Sequence, residues 1–214
     1  MTEYAAAVLS GVGDKMKLGI LGGTFDPIHN GHILIAETVL SRLDLAEVLL
    51  IPAGNPRFKN GGAVTDACHR LKMVELAAAG KPLFRVSAME VERRGITYTV
   101  DTLRELKDKL GAQSELFFVM GWGSLAEFPL WHKPSEIISL SKLVVVPRQG
   151  LPKPDLAELD RKIPGLAKQT IMLDEPLVEL SSSDIRGRIK NGADIQGLVP
   201  DSVAAYIAEN RLYQ

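Results

Sequence analysis

A glycine-rich segment that carries two histidines has the strongest chemical signal in this sequence. It runs from Gly22 to His32 and reads GGTFDPIHNGH. Gly22 and Gly23 let the backbone approach a ligand closely, and the start of a following helix presents free N–H groups to an anion. His29 and His32 are three residues apart, so at a helix N-terminus both rings lie on one face and can donate to phosphate oxygens. The segment therefore predicts a phosphate cradle.

Parts of this segment also fit two other interpretations. The glycines alone are typical of a tight turn, and single histidines are often surface or capping residues. A His-x-x-His pair can also bind a metal, but no nearby Cys or well-placed acid completes a tetrahedral ligand set. The combination of glycines and histidines between a strand and a helix favours anion binding.

The elements around the cradle alternate between strand and helix. Apolar runs predict strands at 17–21, 48–51, 84–91, 116–120, 143–146 and 170–173, and helical spacing predicts helices at 31–43, 67–79, 99–110, 183–191 and 202–209. Residues 151–166 are expected to form a surface connection that contains a weak helix. This order indicates an α/β fold, namely a Rossmann-like, doubly wound parallel sheet with helices on both faces and a small C-terminal helical part. Residues 1–15 are interpreted as a loose N-terminal extension, and residues 16–214 as a single domain.

Composition restricts the partners of this chain. The formal net charge of its 214 residues is -1, which gives no field that would attract nucleic acid or an anionic membrane. No apolar run reaches the roughly 18 residues that a membrane span requires. Cys68 is the single cysteine, which excludes an internal disulfide and fits a reducing, cytoplasmic compartment. We therefore expect a small-molecule partner, while the sequence leaves the oligomeric state open.

Several further motifs extend the pattern along the chain. The segment from Gly22 to His32 resembles the HxGH signature of the nucleotidyltransferase superfamily, and its longer form is similar to that of the bacterial nicotinate mononucleotide adenylyltransferases. The other matching motifs, in the order that this family has, are IPAGNP from Ile51, Arg70-x-x-Met73, TYTVDTL from Thr97, Trp131, and SSSDIR from Ser181. They cover nearly the whole chain from Met16, so the resemblance implies a single nucleotidyltransferase domain.

The resemblance assigns an ATP site to two segments. Ser182, Ser183 and Arg186 lie at the start of a late helix, where hydroxyls, N–H groups and a guanidinium can converge on a triphosphate. A run of serines alone is more often an ordinary helix cap. In the family this second anion clamp faces the first across the nucleotide. The expected catalytic residues are His29, His32 and Arg186, and the residues expected to bind ATP are Gly22, Gly23, Thr24, Phe25, Ser182, Ser183 and Ile185.

The resemblance also implies a site for the mononucleotide. Trp131 corresponds to the ring that stacks on the pyridine, whereas an isolated Trp more often fills the edge of a core. Thr99 and the backbone of His132 correspond to the groups that receive the nicotinate carboxylate. Asp26 and Lys59 complete the predicted mononucleotide site, although Lys59 also fits a solvated loop residue.

This sequence departs from the family at two places. The family usually has Pro-Pro-His before a basic residue, whereas here the order is Pro56-Arg57-Phe58-Lys59. Family members commonly carry an Asp where this chain has Gly123, so a polar contact near the nucleotide is expected to be missing.

The predicted activity is adenylyl transfer from ATP to nicotinate mononucleotide, which gives deamido-NAD and pyrophosphate in NAD biosynthesis. No protein metal site is expected, because Mg²⁺ is carried by ATP. Another HxGH nucleotidyltransferase, acting on nicotinamide mononucleotide or phosphopantetheine, is the alternative within enzymes. A nucleotide-binding protein without turnover is the alternative outside them.

Overall fold

The computed structural model describes residues 16–55, 64–111 and 113–214. Among them, strands form one parallel sheet in the order β3-β2-β1-β4-β5-β6. The strands are β1 (Lys17–Gly23), β2 (Glu47–Pro52), β3 (Phe84–Val86), β4 (Glu115–Gly121), β5 (Lys142–Val146) and β6 (Thr170–Met172). This is the doubly wound strand order: β1 to β3 are added toward one edge of the sheet and β4 to β6 toward the other, so the order reverses between β1 and β4. The predictions for residues 1–15 and for Lys59 lie outside the described residues.

Helices lie between successive strands of the sheet, and further helices follow the last strand, β6. They are α1 (Asn30–Arg42), α2 (Ala67–Ala78), α3 (Met89–Glu92), α4 (Thr99–Leu110), α5 (Trp122–Glu127), α6 (Pro134–Leu140), α7 (Leu156–Lys162), α8 (Ser182–Lys190) and α9 (Asp201–Glu209), with 3-10 turns at Phe128–Leu130 and Ala167–Gln169. No helix in the described ranges is long and apolar enough to cross a membrane.

The sheet separates two hydrophobic cores, because alternate strand residues point to opposite faces. On one face α1, α2, α8 and α9 cover strand residues such as Leu21, Leu50 and Val119. On the other face α4, α5, α6 and α7 cover Ile20 and Leu49, among others. Helices on both faces confirm the predicted Rossmann-like fold, and α8 and α9 form the expected C-terminal helical part.

The largest difference from the predicted elements is at the edge of the sheet. The strand predicted over 84–91 ends at Val86, after which the N–H of Ser87 donates to the carbonyl of Leu50 at 3.0 Å. The chain then turns into α3, where the carbonyl oxygen of Glu90 lies so close to Gly54 that a Cβ there would meet it at 1.9 Å. Packing of α3 against the end of β2 therefore replaces further strand pairing. Helices α5 and α6 were not predicted.

Candidate active site

A cavity of about 430 Å³ opens at the carboxyl ends of the central strands. Gly22 from β1, Gly121 from β4 and Val146 from β5 lie in its wall, which places it at the point where the strand order reverses. Ligands of open parallel sheets bind at this position. The cavity is therefore the candidate active site.

The two histidines lie together at the start of α1. Their rings stack with centroids 3.7 Å apart, and the ring of Phe25 meets His32 edge-on at 5.0 Å. His29 is the N-cap residue of α1, and both histidines line the cavity together with Thr24 and Phe25. The structure thus brings the predicted cradle residues to one end of one helix.

The space between His29 and the loop that carries Val178 is too narrow for any residue larger than Gly31. A Cβ on Gly31 would lie 2.5 Å from Cγ1 of Val178 and 3.0 Å from Nδ1 of His29. Both distances are too short for a side chain to be accommodated without moving the loop. The glycine of the HxGH motif therefore lets Val178 pack against the first turn of α1.

The histidines are neutral at pH 7. Burial, followed by the positive charge of Arg148, lowers the pKa of His29 to about 4. Burial also lowers the pKa of His32, and the charges of His29 and Arg148 lower it further. The N–H of His29 donates to Nδ1 of His32 at 3.2 Å, so the single proton of the neutral His32 ring is on Nε2. His32 therefore lines the cavity with an Nε2–H group that can donate to an oxyanion.

The predicted second anion clamp lies at the N-terminus of α8. Ser181 caps this helix, because its hydroxyl accepts from the N–H of Asp184 at 3.1 Å. The hydroxyl of Ser182 donates to the carbonyl of Pro27 at 2.9 Å, and Nη1 of Arg186 donates to the carbonyl of Asp26 at 2.7 Å. These bonds dock α8 directly on the cradle loop. Ser182, Ser183 and Arg186 line the same cavity as the histidines.

Arg148 is a site residue that the sequence reasoning missed. It follows β5, forms a parallel bridge with Val178, and lines the cavity. Its charge acts on both His29 and His32, so it lies within electrostatic range of an anion bound there. A cationic residue that follows a buried strand and Pro147, at the carboxyl edge of a parallel sheet, was the available signal.

The predicted pyridine side is assembled from two segments. Trp131 lines the cavity, and its ring packs against Phe118 and Phe128 with centroids 6.0 and 5.4 Å away. His132 is exposed, and its ring lies 4.3 Å from that of Tyr98. Thr99 follows Tyr98 as the first residue of α4. Thr99 and His132 are thus close to the Trp131 end, although neither lines the cavity itself.

Two other predicted residues do not reach the cavity. The side chain of Ile185 is 1% exposed and packs in the core beneath α8, because its position in the first turn of that helix faces the sheet. Asp26 is 2% exposed, and its carboxylate accepts from the hydroxyl of Tyr213 at 2.8 Å and from the N–H of Thr65 at 3.4 Å. The side chains of Ile185 and Asp26 therefore do not reach the cavity in which the nucleotide is expected to bind.

A buried arginine holds the loops around the cavity. Arg70 is 1% exposed and donates to four carbonyl oxygens at 2.6 to 3.0 Å. The acceptors are Thr24 in the cradle, Ala53 and Gly54 after β2, and Thr65 before α2. One guanidinium thus fixes three chain segments to one another.

Gly123 lines the cavity at the N-terminus of α5. A Cβ at this position would lie 3.1 Å from Cδ1 of Leu151. Leu151 therefore occupies part of the space next to the position where family members commonly carry an Asp.

The described residues contain no group of three or more His, Cys, Asp or Glu side chains that could hold a metal ion. The polar groups in the cavity lining are instead N–H donors, hydroxyls and cations, which suit anionic oxygens, and the rest of the lining is apolar.

A doubly wound parallel sheet with a cavity at its switch point and two helix N-termini at that cavity is typical of nucleotide-binding α/β proteins. Residues 20–188 match the cytidylyltransferase-like family. A probable nicotinate-nucleotide adenylyltransferase of Dehalococcoides mccartyi is 53% identical over 199 residues, which cover 93% of this chain and 98% of that protein. One of Thermomicrobium roseum is 42% identical, with 92% of each chain covered. The chain belongs to the nicotinate-nucleotide adenylyltransferases within the cytidylyltransferase-like family.

Solved structures agree on the fold. The Plasmodium falciparum nicotinic acid mononucleotide adenylyltransferase complexed with APC has a TM-score of 0.73 at 18% identity, over 92% of this chain and 97% of that one. The same enzyme complexed with NaAD has a TM-score of 0.70 at 19% identity. The family resemblance inferred from the sequence is confirmed.

Proposed function

We propose that this protein transfers the adenylyl group of ATP to nicotinate mononucleotide, which yields deamido-NAD and pyrophosphate. Besides the family of the chain, one observation carries the proposal. The N-termini of α1 and α8 meet in a single cavity with Arg148 and Arg186. Two helix N-termini and two cations match a substrate pair that brings several phosphates together.

The reaction follows from the chemistry of these groups. An oxygen of the mononucleotide 5′-phosphate attacks the α-phosphorus of ATP, and the bond from the α-phosphorus to the bridging oxygen of the β-phosphate breaks. The attacking phosphate is already anionic near pH 7, so no general base is required. Charge gathers on the α-phosphate and on the leaving pyrophosphate, where N–H donors and cations stabilise it. Mg²⁺ enters as part of the Mg-ATP substrate.

Each clamp has its own part in this reaction. His32 donates from Nε2 to the α-phosphate region, with His29 stacked behind it. Ser182, Ser183 and Arg186 hold the departing phosphates at the start of α8. Alignment of the two anions for in-line displacement is the main contribution of the protein.

The pyridine end lies beside Trp131. We propose that its ring stacks on the nicotinate, and that Thr99 and the backbone of His132 receive the carboxylate when the substrate is bound. A carboxylate only accepts hydrogen bonds, whereas a carboxamide also needs an acceptor, so N–H and hydroxyl donors favour nicotinate over nicotinamide.

Pyrophosphate release tests the proposal. The purified protein is incubated with Mg-ATP and, in separate reactions, nicotinate mononucleotide, nicotinamide mononucleotide or phosphopantetheine. We expect fast release with the first substrate, and loss of one hydrogen-bond donor in His32→Ala should lower kcat by roughly 100-fold or more. His69→Ala is the matched control, since His69 lies away from the cavity and pairs with Tyr206.

Each other outcome has a definite meaning. Release only with phosphopantetheine, or only with nicotinamide mononucleotide, would show that this compound is the substrate in place of nicotinate mononucleotide. ATP binding without release in any reaction would favour a nucleotide-binding protein without turnover. Activity of His32→Ala near that of the wild type would refute the role of this histidine.

A further inference from the structure

A buried hydroxyl–carboxylate contact links the segment after α9 to the cradle loop. The hydroxyl of Tyr213 donates to Oδ1 of Asp26 at 2.8 Å. These residues are 187 positions apart in the chain, and Asp26 is 2% exposed. A buried carboxylate needs donors that replace water, and the hydroxyl of Tyr213 is one of these donors.

Of the contacts to this carboxylate from Tyr213, Thr65 and Arg186, the one from Tyr213 is the shortest. The N–H of Thr65 lies 3.4 Å from Oδ2, and Nη1 of Arg186 lies 4.0 Å from the same oxygen. The guanidinium of Arg70 influences Asp26 through its charge, while its N–H groups are directed to backbone carbonyls. Loss of the Tyr213 hydroxyl therefore leaves the carboxylate held mainly by longer contacts.

The backbone next to this carboxylate is where α8 docks. The carbonyl of Asp26 accepts from Arg186, and the carbonyl of Pro27 accepts from Ser182. Both donors line the cavity. The position of the loop at residues 26 and 27 thus sets the distance between the cradle at α1 and the clamp at α8.

We propose that Tyr213 is a positioning residue for ATP, which acts through Asp26 to hold the two anion clamps in register. Tyr213 does not line the cavity. The inference rests on the proposed function, because it takes the clamp at α8 to be the site of the ATP phosphates. It also gives Asp26 an indirect role in place of the predicted contact with the mononucleotide.

The first test is the affinity for Mg-ATP, measured by titration calorimetry without a mononucleotide. Tyr213→Phe keeps the ring and removes one hydrogen bond to a charged group, so we expect the Kd for Mg-ATP to rise about tenfold. Tyr206→Phe is the matched control, because this hydroxyl also makes a 2.8 Å contact, to His69, from α9 itself. Its Kd should stay within about twofold of the wild type.

A purely structural role would give another pattern. If Tyr213 only stabilised the fold, Tyr213→Phe would lower the Tm while the remaining folded protein bound Mg-ATP with unchanged Kd. That result, or an equal rise of Kd in both variants, would overturn the inference.

A double-mutant cycle tests the route through Arg186. In an Arg186→Met background, adding Tyr213→Phe should weaken Mg-ATP binding by less than about twofold, since the group that it positions is gone. A further tenfold loss would contradict the inference. If the wild type and Tyr206→Phe bind Mg-ATP but release no pyrophosphate, the proposed function is refuted and this inference is not. Unchanged affinity of Tyr213→Phe in a protein that turns over would refute this inference alone.

Discussion

Replacement of Arg70 by Met is the most informative change to the loops around the cavity. Met keeps an apolar stem of similar length in the buried space and removes the guanidinium. The change deletes four hydrogen bonds at once, to Thr65 at 2.8 Å, Thr24 at 2.8 Å, Ala53 at 2.6 Å and Gly54 at 3.0 Å. Four carbonyl oxygens then need water or other donors, and one of them belongs to Thr24 in the cavity wall.

The expected loss of stability is smaller than the sum of these bonds. Each hydrogen bond to a charged group contributes about 1.5–3 kcal/mol, but removal of a buried charge also removes its desolvation cost. Loops that open to water recover part of the remainder. We therefore expect the free energy of unfolding to fall by about 3–5 kcal/mol, which in a protein of this size lowers the Tm by about 10 °C.

Urea unfolding, followed by tryptophan fluorescence and circular dichroism, measures this change. Arg161→Met is the control, since Arg161 is exposed on α7, and its unfolding free energy should change by no more than about 0.5 kcal/mol. The KM for ATP should also rise in Arg70→Met, because the cradle carbonyl of Thr24 loses its anchor. A loss below about 1 kcal/mol would show that Arg70 does not hold the three segments together.

Three other predictions concern the cavity itself. Trp131→Ala should raise the KM for the pyridine substrate about tenfold, as expected for lost base stacking, with little change for ATP; an effect confined to ATP would refute the stacking role. Gly123→Asp should fold normally because the flexible end of Leu151 can move, and it should raise kcat/KM about threefold if one polar contact is restored. Gly123→Asn is the uncharged control. An unchanged kcat/KM in Gly123→Asp would show that the site works without a carboxylate. The folded pKa of His29, about 4, lies below the ordinary value of 6.5, so the unfolded chain takes up the proton first and stability falls as pH drops through this interval. The free energy of unfolding, measured in urea, should fall by about 2 kcal/mol between pH 7 and pH 5 because of this residue. His29→Asn should remove this part of the pH dependence. The same pH dependence in His29→Asn and the wild type would contradict the buried neutral state.

The sequence predicted the central strands well because their signal is local. Strands β1, β2, β4 and β5 are short apolar runs that end at Gly or Pro, and helix α4 begins and ends where the predicted helix does, at 99–110. At the sheet edge the local signal was insufficient. The run at 84–91 is compatible with a strand, but contacts between Glu90 and the chain at Gly54 decide its second half. Such contacts depend on tertiary packing.

The same division applies to the site. Motifs at helix starts carry their own physical meaning and therefore predict one shared site. The structure brings the residues of this prediction together in one cavity, namely His29, His32, Ser182, Ser183 and Arg186. Sequence reasoning placed Ile185 and Asp26 in the nucleotide site because they belong to the same motifs, but a motif does not specify which of its side chains turn toward the core.

Other contributions to the site came from residues outside such motifs. Arg148 enters the cavity from a turn after β5, and Tyr213 reaches Asp26 from the other end of the chain. Both positions are set by the order of the strands and the docking of α9. The Arg70 contacts likewise join segments that are 5 to 46 residues away from it.

Transfer of labelled oxygen tests the central claim most directly. Nicotinate mononucleotide with ¹⁸O in its phosphate is incubated with Mg-ATP and the protein for a single turnover. The masses of both products are then measured by mass spectrometry. Attack of the mononucleotide phosphate on the α-phosphorus predicts that all of the label stays in deamido-NAD and that pyrophosphate carries none. Label in pyrophosphate, or no dinucleotide at saturating substrates, would contradict the account.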